Sequence, residues 1–288
     1  MREYDQETLQ RIQNVELGIL DDFIWICKKY HLEYFGFGGT GIGVLRHGGF
    51  IPWDDDIDVA LTRKDYDTFL QAAEKEFGDK YVIMNAQTDP NYPLATTRWM
   101  LRGTKFREYS MKDIDCPLGI FLDIYAFDNV PDDDALMRKQ AREVWFWNKL
   151  MILRSLPFPV LGFTGVKGSL IKAACAVIHY GMAVCHISKK WLASKMLQAT
   201  TRYNHLDTKR LAYYCDTSPY TNMMEKEELY PLQELDFEGR KMTFPREMHR
   251  MLEVLYGDYM QLPPPEKRKN HFPYELDFGD HLYRGDDE

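Results

Sequence analysis

The chain has 288 residues, of which 45% are hydrophobic and 28% charged, and its formal net charge is −8. This length allows one large or two small domains with a buried core, and the composition excludes a disordered chain. The excess of acidic residues argues against a nucleic-acid-binding surface, which needs clustered Lys and Arg. An anionic substrate would therefore need a metal ion or a local basic pocket to offset the repulsion.

In chain order, the first predicted element is a long amphipathic helix. Apolar side chains between Leu9 and Tyr30 recur at helical spacings, as on one buried face. A short strand over 34–39 is expected to run through a glycine turn into a second short helix over 40–46. The N-terminal region therefore begins with helix, strand and helix.

Strands dominate the next part of the chain. The segment WDDDIDVAL (53–61) is predicted to end as a buried strand, and a helix follows from Thr62 to Phe77, with Gly78 as its stop. Further strands are predicted over 80–84, 96–101, 105–109 and 119–125.

After Pro131 the predicted structure becomes mainly helical. Helices are expected over 132–155 and 169–215, with a loop over 155–165 between them. A hairpin at 230–245, a helix at 246–256 and an irregular proline-rich tail complete the chain. The predicted fold class is α/β, with a mixed-sheet core and a mainly helical C-terminal half. We predict three regions: a catalytic core (1–131), a helical insertion (132–215) and a C-terminal region that packs on the core (216–288).

The most apolar stretch of the chain is 170–187, which contains Lys172, His179 and His186. A membrane span needs about 20 clean apolar residues, so a buried core helix is the favoured interpretation and an interfacial helix the alternative. The five cysteines are odd in number and lack C-x-x-C spacing, which is typical of reduced thiols. We therefore expect a cytoplasmic protein, with peripheral contact at the inner membrane face if the helix is interfacial.

The strongest chemical feature is an acidic run of Asp54, Asp55, Asp56 and Asp58. Carboxylates this close repel one another, so they need either solvent or a cation. The apolar residues that follow favour a strand that runs into the core. Alternation then places Asp56 and Asp58 on one face of it, about 7 Å apart. Such a pair suits one or two divalent cations.

Two familiar motifs fit this region poorly. A calcium loop fails because Val59 occupies its glycine position and Asp65 its final glutamate position. A dinucleotide-binding fingerprint matches Gly36, Gly38 and Gly41, but only about two helical turns fit between these glycines and the acidic run.

A phosphoryl- or nucleotidyl-transfer site fits better. Gly38, Gly39 and Thr40 supply a glycine turn at the start of a helix, where free N–H groups bind phosphate. The D-x-D strand supplies metal ligands, and Asp123 lies among apolar residues within the strand GIFLDIYAFD. A buried aspartate needs a partner, either a metal ion or a buried arginine.

The motif GGTGIGVLRHGGFIPWDDDIDVAL (38–61) resembles the signature of the LicD family of phosphocholine transferases, which are relatives of the fukutin proteins. Matching segments recur at LDIYAFDNVP (122–131), FEGRKMTFP (237–245) and the tail segment 256–279. The resemblance implies a nucleotidyltransferase-like α/β core. It also implies Mg²⁺- or Mn²⁺-dependent transfer of a phospho-alcohol from a CDP-alcohol, typically CDP-choline. The expected acceptor is a hydroxyl of a cell-surface glycan or its precursor, such as lipopolysaccharide or teichoic acid.

By the same resemblance, Asp56 and Asp58 match the metal-binding pair and Asp123 the third carboxylate. We expect Asp123 to accept the proton of the acceptor hydroxyl. The residues expected to contact substrate are Gly38, Gly39, Thr40, Arg46, His47 and Arg98, the arginines because guanidinium matches phosphate bidentately.

Three weaker suggestions concern the tail and the aromatic residues. Arg268 and His271 are expected either to reach over the site or to pack the tail. An aromatic cage for a choline head group would draw on Trp53, Trp99, Tyr109 and Tyr125.

Two other functions stay open at this point. One is a nucleotidyltransferase that makes a CDP-alcohol or transfers NMP, which would release pyrophosphate rather than CMP. The other is a non-enzymatic, metal-dependent module that binds glycans.

Overall fold

The computed structural model describes residues 3–159, 165–216 and 220–281. The helices are α1 (Gln6–Tyr30), α2 (Gly38–His47), α3 (Arg63–Phe77), α4 (Asp134–Ser155), α5 (Gly165–Val184), α6 (Lys189–Thr200), α7 (Lys226–Leu229) and α8 (Met248–Tyr256). The strands are β1 (Tyr34–Gly36), β2 (Asp58–Thr62), β3 (Tyr81–Met84), β4 (Thr97–Leu101), β5 (Lys105–Glu108), β6 (Phe121–Val130), β7 (Arg210–Ala212), β8 (Met223–Glu225), β9 (Gln233–Phe237), β10 (Arg240–Phe244) and β11 (Pro273–Asp277).

A mixed sheet of seven strands organises the molecule. Its central order is β1-β2-β6-β4-β3, and β7 and β8 extend it from the far end of β6. Strands β2 and β6 are parallel, whereas the other neighbours are antiparallel. The predicted α/β class is confirmed. In the β2–β6 register, Asp58 lies opposite Asp123, so these carboxylates meet at one end of neighbouring strands.

Helices α1 and α3 cover one face of this sheet. Helix α1 begins at its cap Asp5, whose side chain accepts a hydrogen bond from the backbone N–H of Thr8. Phe23 of α1 packs on Phe69 of α3 at 4.9 Å between ring centroids, and Phe69 packs on Trp99 of β4 at 5.4 Å. These contacts fix the sheet beneath the acidic run. The predicted first helix and the helix that ends before Gly78 are both confirmed.

A second apolar cluster joins α4 and α6 to the β6–β7 end of the sheet. Val144 of α4 and Leu192 of α6 are buried there beside Val130. The prediction of one helical segment over 169–215 is wrong: the helix breaks at residues 185–188, and β7 follows α6. The break is stabilised by Ser188, which caps α6 by accepting from the backbone N–H of Trp191.

Helix α5 departs most from the sequence-based expectation. The preference for a buried core helix at 170–187 is wrong, because Gly168 is the one buried residue described in α5. An apolar composition does not distinguish a helix inside the protein from one with an uncovered apolar face. Among the described residues, no single helix has the length and hydropathy of a membrane span. Helices α5 and α6 meet those criteria together, as a pair bent by 109°.

The C-terminal region packs back onto the core. The predicted hairpin is confirmed as β9 and β10, and the helix after it as α8. The tail is not irregular throughout, because β11 pairs with β5 in a separate two-stranded sheet. The boundaries at 131 and 215 stay predictions, and β7 and β8 extend the sheet that the first region begins.

Candidate active site

The glycine turn at the start of α2 is built around Asp58. Gly38 has φ +54°, and a Cβ atom there would lie 2.7 Å from Oδ2 of Asp58. Both the backbone conformation and the close approach of Asp58 therefore require glycine. The backbone N–H of Gly39 donates to Asp58 Oδ2 at 3.3 Å, and Thr40 Oγ1 accepts from the backbone N–H of Asp58 at 2.8 Å. The helix N-terminus therefore binds a carboxylate of the acidic run. Contact of these three residues with phosphate stays a prediction.

Three aspartates converge beside this turn. Oxygens of Asp56, Asp58 and Asp123 lie within 4.8 Å of one another, and we call these residues the aspartate triad. Asp58 and Asp123 come from adjacent strands. Asp56 precedes β2 instead of lying within it, so a loop rather than strand alternation brings it to Asp58. Among the described residues, Oδ1 of Asp58 is buried without a hydrogen-bond partner.

The electrostatics of the aspartate triad favour a cation. Burial raises the pKa of each of the three carboxyl groups, and the negative charge of neighbouring aspartates raises it further. The pKa of Asp123 rises to about 6 and that of Asp58 well above its usual range. Close carboxylates, one of them with a buried oxygen that lacks a partner, form a set of hard donors that fits a divalent metal ion.

Arg98 forms an ion pair with Asp123 of the aspartate triad. Its guanidinium is 2% exposed and lies 2.5 Å from Glu108 Oε1 and 3.4 Å from Asp123 Oδ1. Burial lowers the pKa of Arg98, but the two carboxylates raise it well above its usual range. Asp123 thus has both of its expected partners, a buried arginine and a cluster suited to metal. Because Arg98 is engaged in these ion pairs, its predicted contact with phosphate stays a prediction.

A hydrogen-bonded layer behind the aspartate triad joins both ends of the chain. The Asp55 carboxylate, fully buried, accepts hydrogen bonds from the hydroxyl of Tyr4 and from the backbone N–H of His271, the latter at 2.8 Å. Nδ1 of His271 lies 3.5 Å from both Asp55 Oδ1 and Asp56 Oδ2. Burial lowers the pKa of His271, but Asp56 and Asp55 raise it well above its usual value.

A cavity of about 850 Å³ opens on one side of the aspartate triad. We call it the basic cavity, because Arg46, Lys267, Arg268 and Lys269 line it. The guanidinium of Arg268 lies 4.2 Å from the ring centroid of Trp53, which also lines the cavity. Arg46 donates to the carbonyl of Tyr259 at 2.6 Å and to Nε2 of His47 at 2.9 Å. Arg46 is therefore on the cavity wall, whereas His47 is exposed beside it.

A second cavity, of about 690 Å³, opens on the other side of the aspartate triad. We call it the aromatic cavity: Phe37, Tyr125, Tyr213 and Tyr256 line it together with Asp216. Tyr125 packs on Phe37 and on Tyr213, with ring centroids 4.9 and 5.0 Å apart. The two cavities share a wall that contains Asp58, Asp123, Tyr125, Tyr256, Lys269 and His271.

Sequence reasoning located part of these walls. Of the four aromatic residues named for a cage, Trp53 and Tyr125 line cavities beside the aspartate triad. Trp99 is in the core against Tyr81, and Tyr109 is an exposed residue that packs on Tyr274.

Other wall residues were missed or undervalued. The cation-rich run PEKRKNH (265–271) was a usable signal for the basic cavity and for His271. The sequence contains no comparable signal for Tyr213 and Asp216, because only the β6–β7 pairing brings their segment to the site.

A mixed α/β sheet that carries an aspartate triad beside a glycine-led helix is the architecture expected of a nucleotidyltransferase-like domain. Comparison with known proteins agrees: the family described as LicD/FKTN/FKRP, nucleotidyltransferase domain, matches residues 31–151. The chain belongs to the LicD family.

Two relatives extend this comparison. Lipopolysaccharide cholinephosphotransferase LicD of Haemophilus influenzae is 30% identical over 283 residues, which cover 92% of this chain and 96% of that protein. An uncharacterized protein of Rickettsia typhi is 34% identical over 53 residues, or 18% of this chain and 17% of that protein.

Proposed function

We propose that this chain is a Mg²⁺-dependent transferase that moves phosphocholine from CDP-choline to a hydroxyl of a cell-surface glycan or its precursor. One observation carries the proposal: the aspartate triad lies at the junction of a cation-rich cavity and an aromatic one. The name of the Haemophilus influenzae relative supports choline as the alcohol and lipopolysaccharide as the class of acceptor.

In this proposal, Asp56, Asp58 and Asp123 hold the Mg²⁺ ion, with Mn²⁺ as the natural substitute. The support is the convergence of the three carboxylates and the buried Oδ1 of Asp58. When bound, the metal supplies positive charge that offsets the donor pyrophosphate and the leaving CMP.

The basic cavity would hold the CMP half of the donor. Arg46, Lys267 and Arg268 provide cations for the phosphates in a protein whose net charge is otherwise negative. The indole of Trp53 provides a flat apolar surface on the same wall.

The aromatic cavity would hold the choline head group. A quaternary ammonium ion is attracted to the faces of aromatic rings and to a nearby carboxylate. Phe37, Tyr125 and Tyr213 supply the rings and Asp216 the carboxylate. The cations Arg46, Lys267 and Arg268 line the basic cavity and are not among the described residues that line the aromatic cavity.

In the proposed reaction, the oxygen of the acceptor hydroxyl attacks the phosphorus that carries choline. The bond from that phosphorus to the bridging oxygen breaks, and CMP leaves. Asp123 takes the proton of the hydroxyl. The support for this role is position, because Asp123 lines both cavities.

The test is product analysis with Mg²⁺, a glycan acceptor and a panel of CDP-linked alcohols. We expect release of CMP and a phosphocholine-bearing acceptor, with CDP-choline as the preferred donor. Release of pyrophosphate would instead indicate a nucleotidyltransferase. Calcium-dependent glycan binding without consumption of any donor would indicate a binding module. Either result would overturn the proposal.

A matched pair of variants separates the two cavities. We expect Tyr213→Leu to reduce the preference for CDP-choline over CDP-glycerol by about two- to thirtyfold, the range of one cation–π contact. Trp53→Leu on the basic side should weaken both donors equally, because both carry CMP. Equal effects of the two variants on selectivity would contradict the assignment of the cavities.

A further inference from the structure

The segment 144–206 has a charge unlike that of the rest of the chain. It contains eight Lys and Arg residues and no Asp or Glu, although the whole chain has 44 acidic residues. Without those eight positive charges, the formal net charge of −8 becomes −16 for the remaining residues. Such a segment in an acidic protein indicates a surface suited to a negatively charged partner.

The same segment concentrates the exposed apolar side chains. Of the twenty large apolar residues that are exposed in the described part of the chain, eleven lie within 144–206. Scattered exposed apolar residues are ordinary, but a concentration of them marks an interaction surface.

Helix α5 orders these side chains into one stripe. Val166, Leu170, Val177 and Val184 are spaced by four, seven and seven residues, which places them on one face of the helix. They are 67–79% exposed.

The opposite face of α5 rests on α4. Nδ1 of His179 lies 2.8 Å from the carbonyl of Leu153, and Nε of Arg154 donates to the carbonyl of Ile187 at 2.9 Å. These contacts turn the apolar stripe of α5 outward.

Basic and aromatic residues border this stripe. Lys167 and Lys190 are exposed, the first on α5 next to Val166 and the second at the start of α6. Beside Lys190, the indole of Trp191 packs edge-on against Trp147, with ring centroids 5.6 Å apart. An apolar stripe with lysines and tryptophans at its border is the pattern of helices that lie in a membrane interface.

We propose that the outer face of α5, together with Trp191, docks on an anionic phospholipid bilayer, with α5 in the plane of the interface. The positive charge beside the stripe favours an anionic bilayer over a second copy of the chain as the partner of this face. Two copies would bring together the lysines that border the two stripes, whereas anionic headgroups complement those charges.

The experiment is flotation of the full chain with vesicles of phosphatidylcholine alone or mixed with phosphatidylglycerol, at low and high salt. We expect binding to the mixed vesicles at low salt that weakens at high salt. The double variant Lys167→Gln/Lys190→Gln should lower partitioning by about 25-fold, since each lysine contributes about fivefold. Val177→Glu should lower it further by placing a charge in the apolar stripe.

Matched controls lie outside the segment. Leu136→Glu and Lys139→Gln change exposed residues on α4 and should leave partitioning unchanged. The proposal is overturned if the wild-type chain does not float with anionic vesicles, or if the controls reduce binding as much as Val177→Glu. A dimer in sedimentation analysis that Val177→Glu dissociates, without vesicle binding, would assign the face to a second copy. These measurements contain no donor or acceptor, so their outcome is independent of the proposed reaction.

Discussion

At the scale of single residues, the fold holds three carboxyl groups close together, although their negative charges repel one another. Asp56, Asp58 and Asp123 are packed by a parallel strand pair and a glycine turn, and burial removes the water that would screen them. We therefore expect Asp58→Asn to lower CMP release by about 10²- to 10³-fold, which corresponds to the loss of several kcal/mol of metal-dependent charge stabilisation. The measurement is the initial rate of CMP release at saturating Mg²⁺.

The same substitution should not harm folding. Removal of one charge from a repelling group leaves the melting temperature of the metal-free protein unchanged or higher. The exposed Asp113 provides a control, because Asp113→Asn should alter neither property. A large loss of stability in Asp58→Asn would instead point to a structural role.

The raised pKa values predict how stability depends on pH. The pKa of Asp123 in the folded protein, about 6, lies above the value of about 3.9 for an unfolded aspartate. The protonated form is thus favoured by folding, so its contribution is complete below about pH 4 and is lost as the pH rises through about 6. The raised pKa of His271 acts in the same direction.

We therefore expect the free energy of unfolding of the metal-free protein to fall as the pH rises from about 4 to 7. Mg²⁺ binds the ionised carboxylates, so the increase in melting temperature that it causes should be larger at about pH 7.5 than at about pH 5. Thermal scans with Mg²⁺ or with a chelator at both pH values measure this difference. An equal increase at both values would contradict it.

At the scale of elements, the start of α2 is the most constrained segment of the site. Gly38 combines a left-handed backbone conformation with a close approach to Asp58. We expect Gly38→Ala to cost about 1–2 kcal/mol of stability from the backbone alone and to displace the Asp58 carboxylate, with loss of most activity. Urea unfolding and CMP release measure the two effects.

Gly48, at the other end of α2, is the matched control. Its φ is +73°, and nothing lies within 4 Å of the Cβ that alanine would add. Gly48→Ala should show a similar loss of stability but retain activity. Equal retention of activity in both variants would mean that the contact with Asp58 is unimportant.

At the scale of the whole molecule, the two ends of the chain meet behind the aspartate triad. The hydroxyl of Tyr4 and the backbone N–H of His271 both donate to the buried Asp55 carboxylate, which lies 51 and 216 residues away in sequence. We expect Tyr4→Phe to lower the free energy of unfolding by about 1.5–3 kcal/mol, because a buried carboxylate loses a hydrogen bond.

Urea denaturation measures this loss, with Tyr274→Phe as the control. The Tyr274 ring is 58% exposed, so removal of its hydroxyl should change stability little. Equal effects of the two variants would show that the Asp55 layer does not hold the chain ends together.

The sequence by itself determined the local chemistry of this protein. Strand, glycine turn, helix and acidic run follow one another within 34–61, and short-range rules of backbone conformation and charge repulsion suffice to interpret such a segment. Asp123 was found for the same reason, because a charged residue flanked by apolar residues in a strand is conspicuous. The α1, α3 and β9–β10 elements were likewise predicted from periodicity and turns.

Only the tertiary structure decided what surrounds that chemistry. The pairing of Asp123 with Arg98, the meeting of Asp55 with His271, and the arrival of Tyr213 at the aromatic cavity all depend on contacts between distant segments. The orientation of α5 belongs to the same class: apolar residues occur on more than one side of the helix, so which face is covered depends on how α4 packs. Side-chain patterns encode the conformation of a segment, whereas its neighbours are chosen by the free energy of the whole fold.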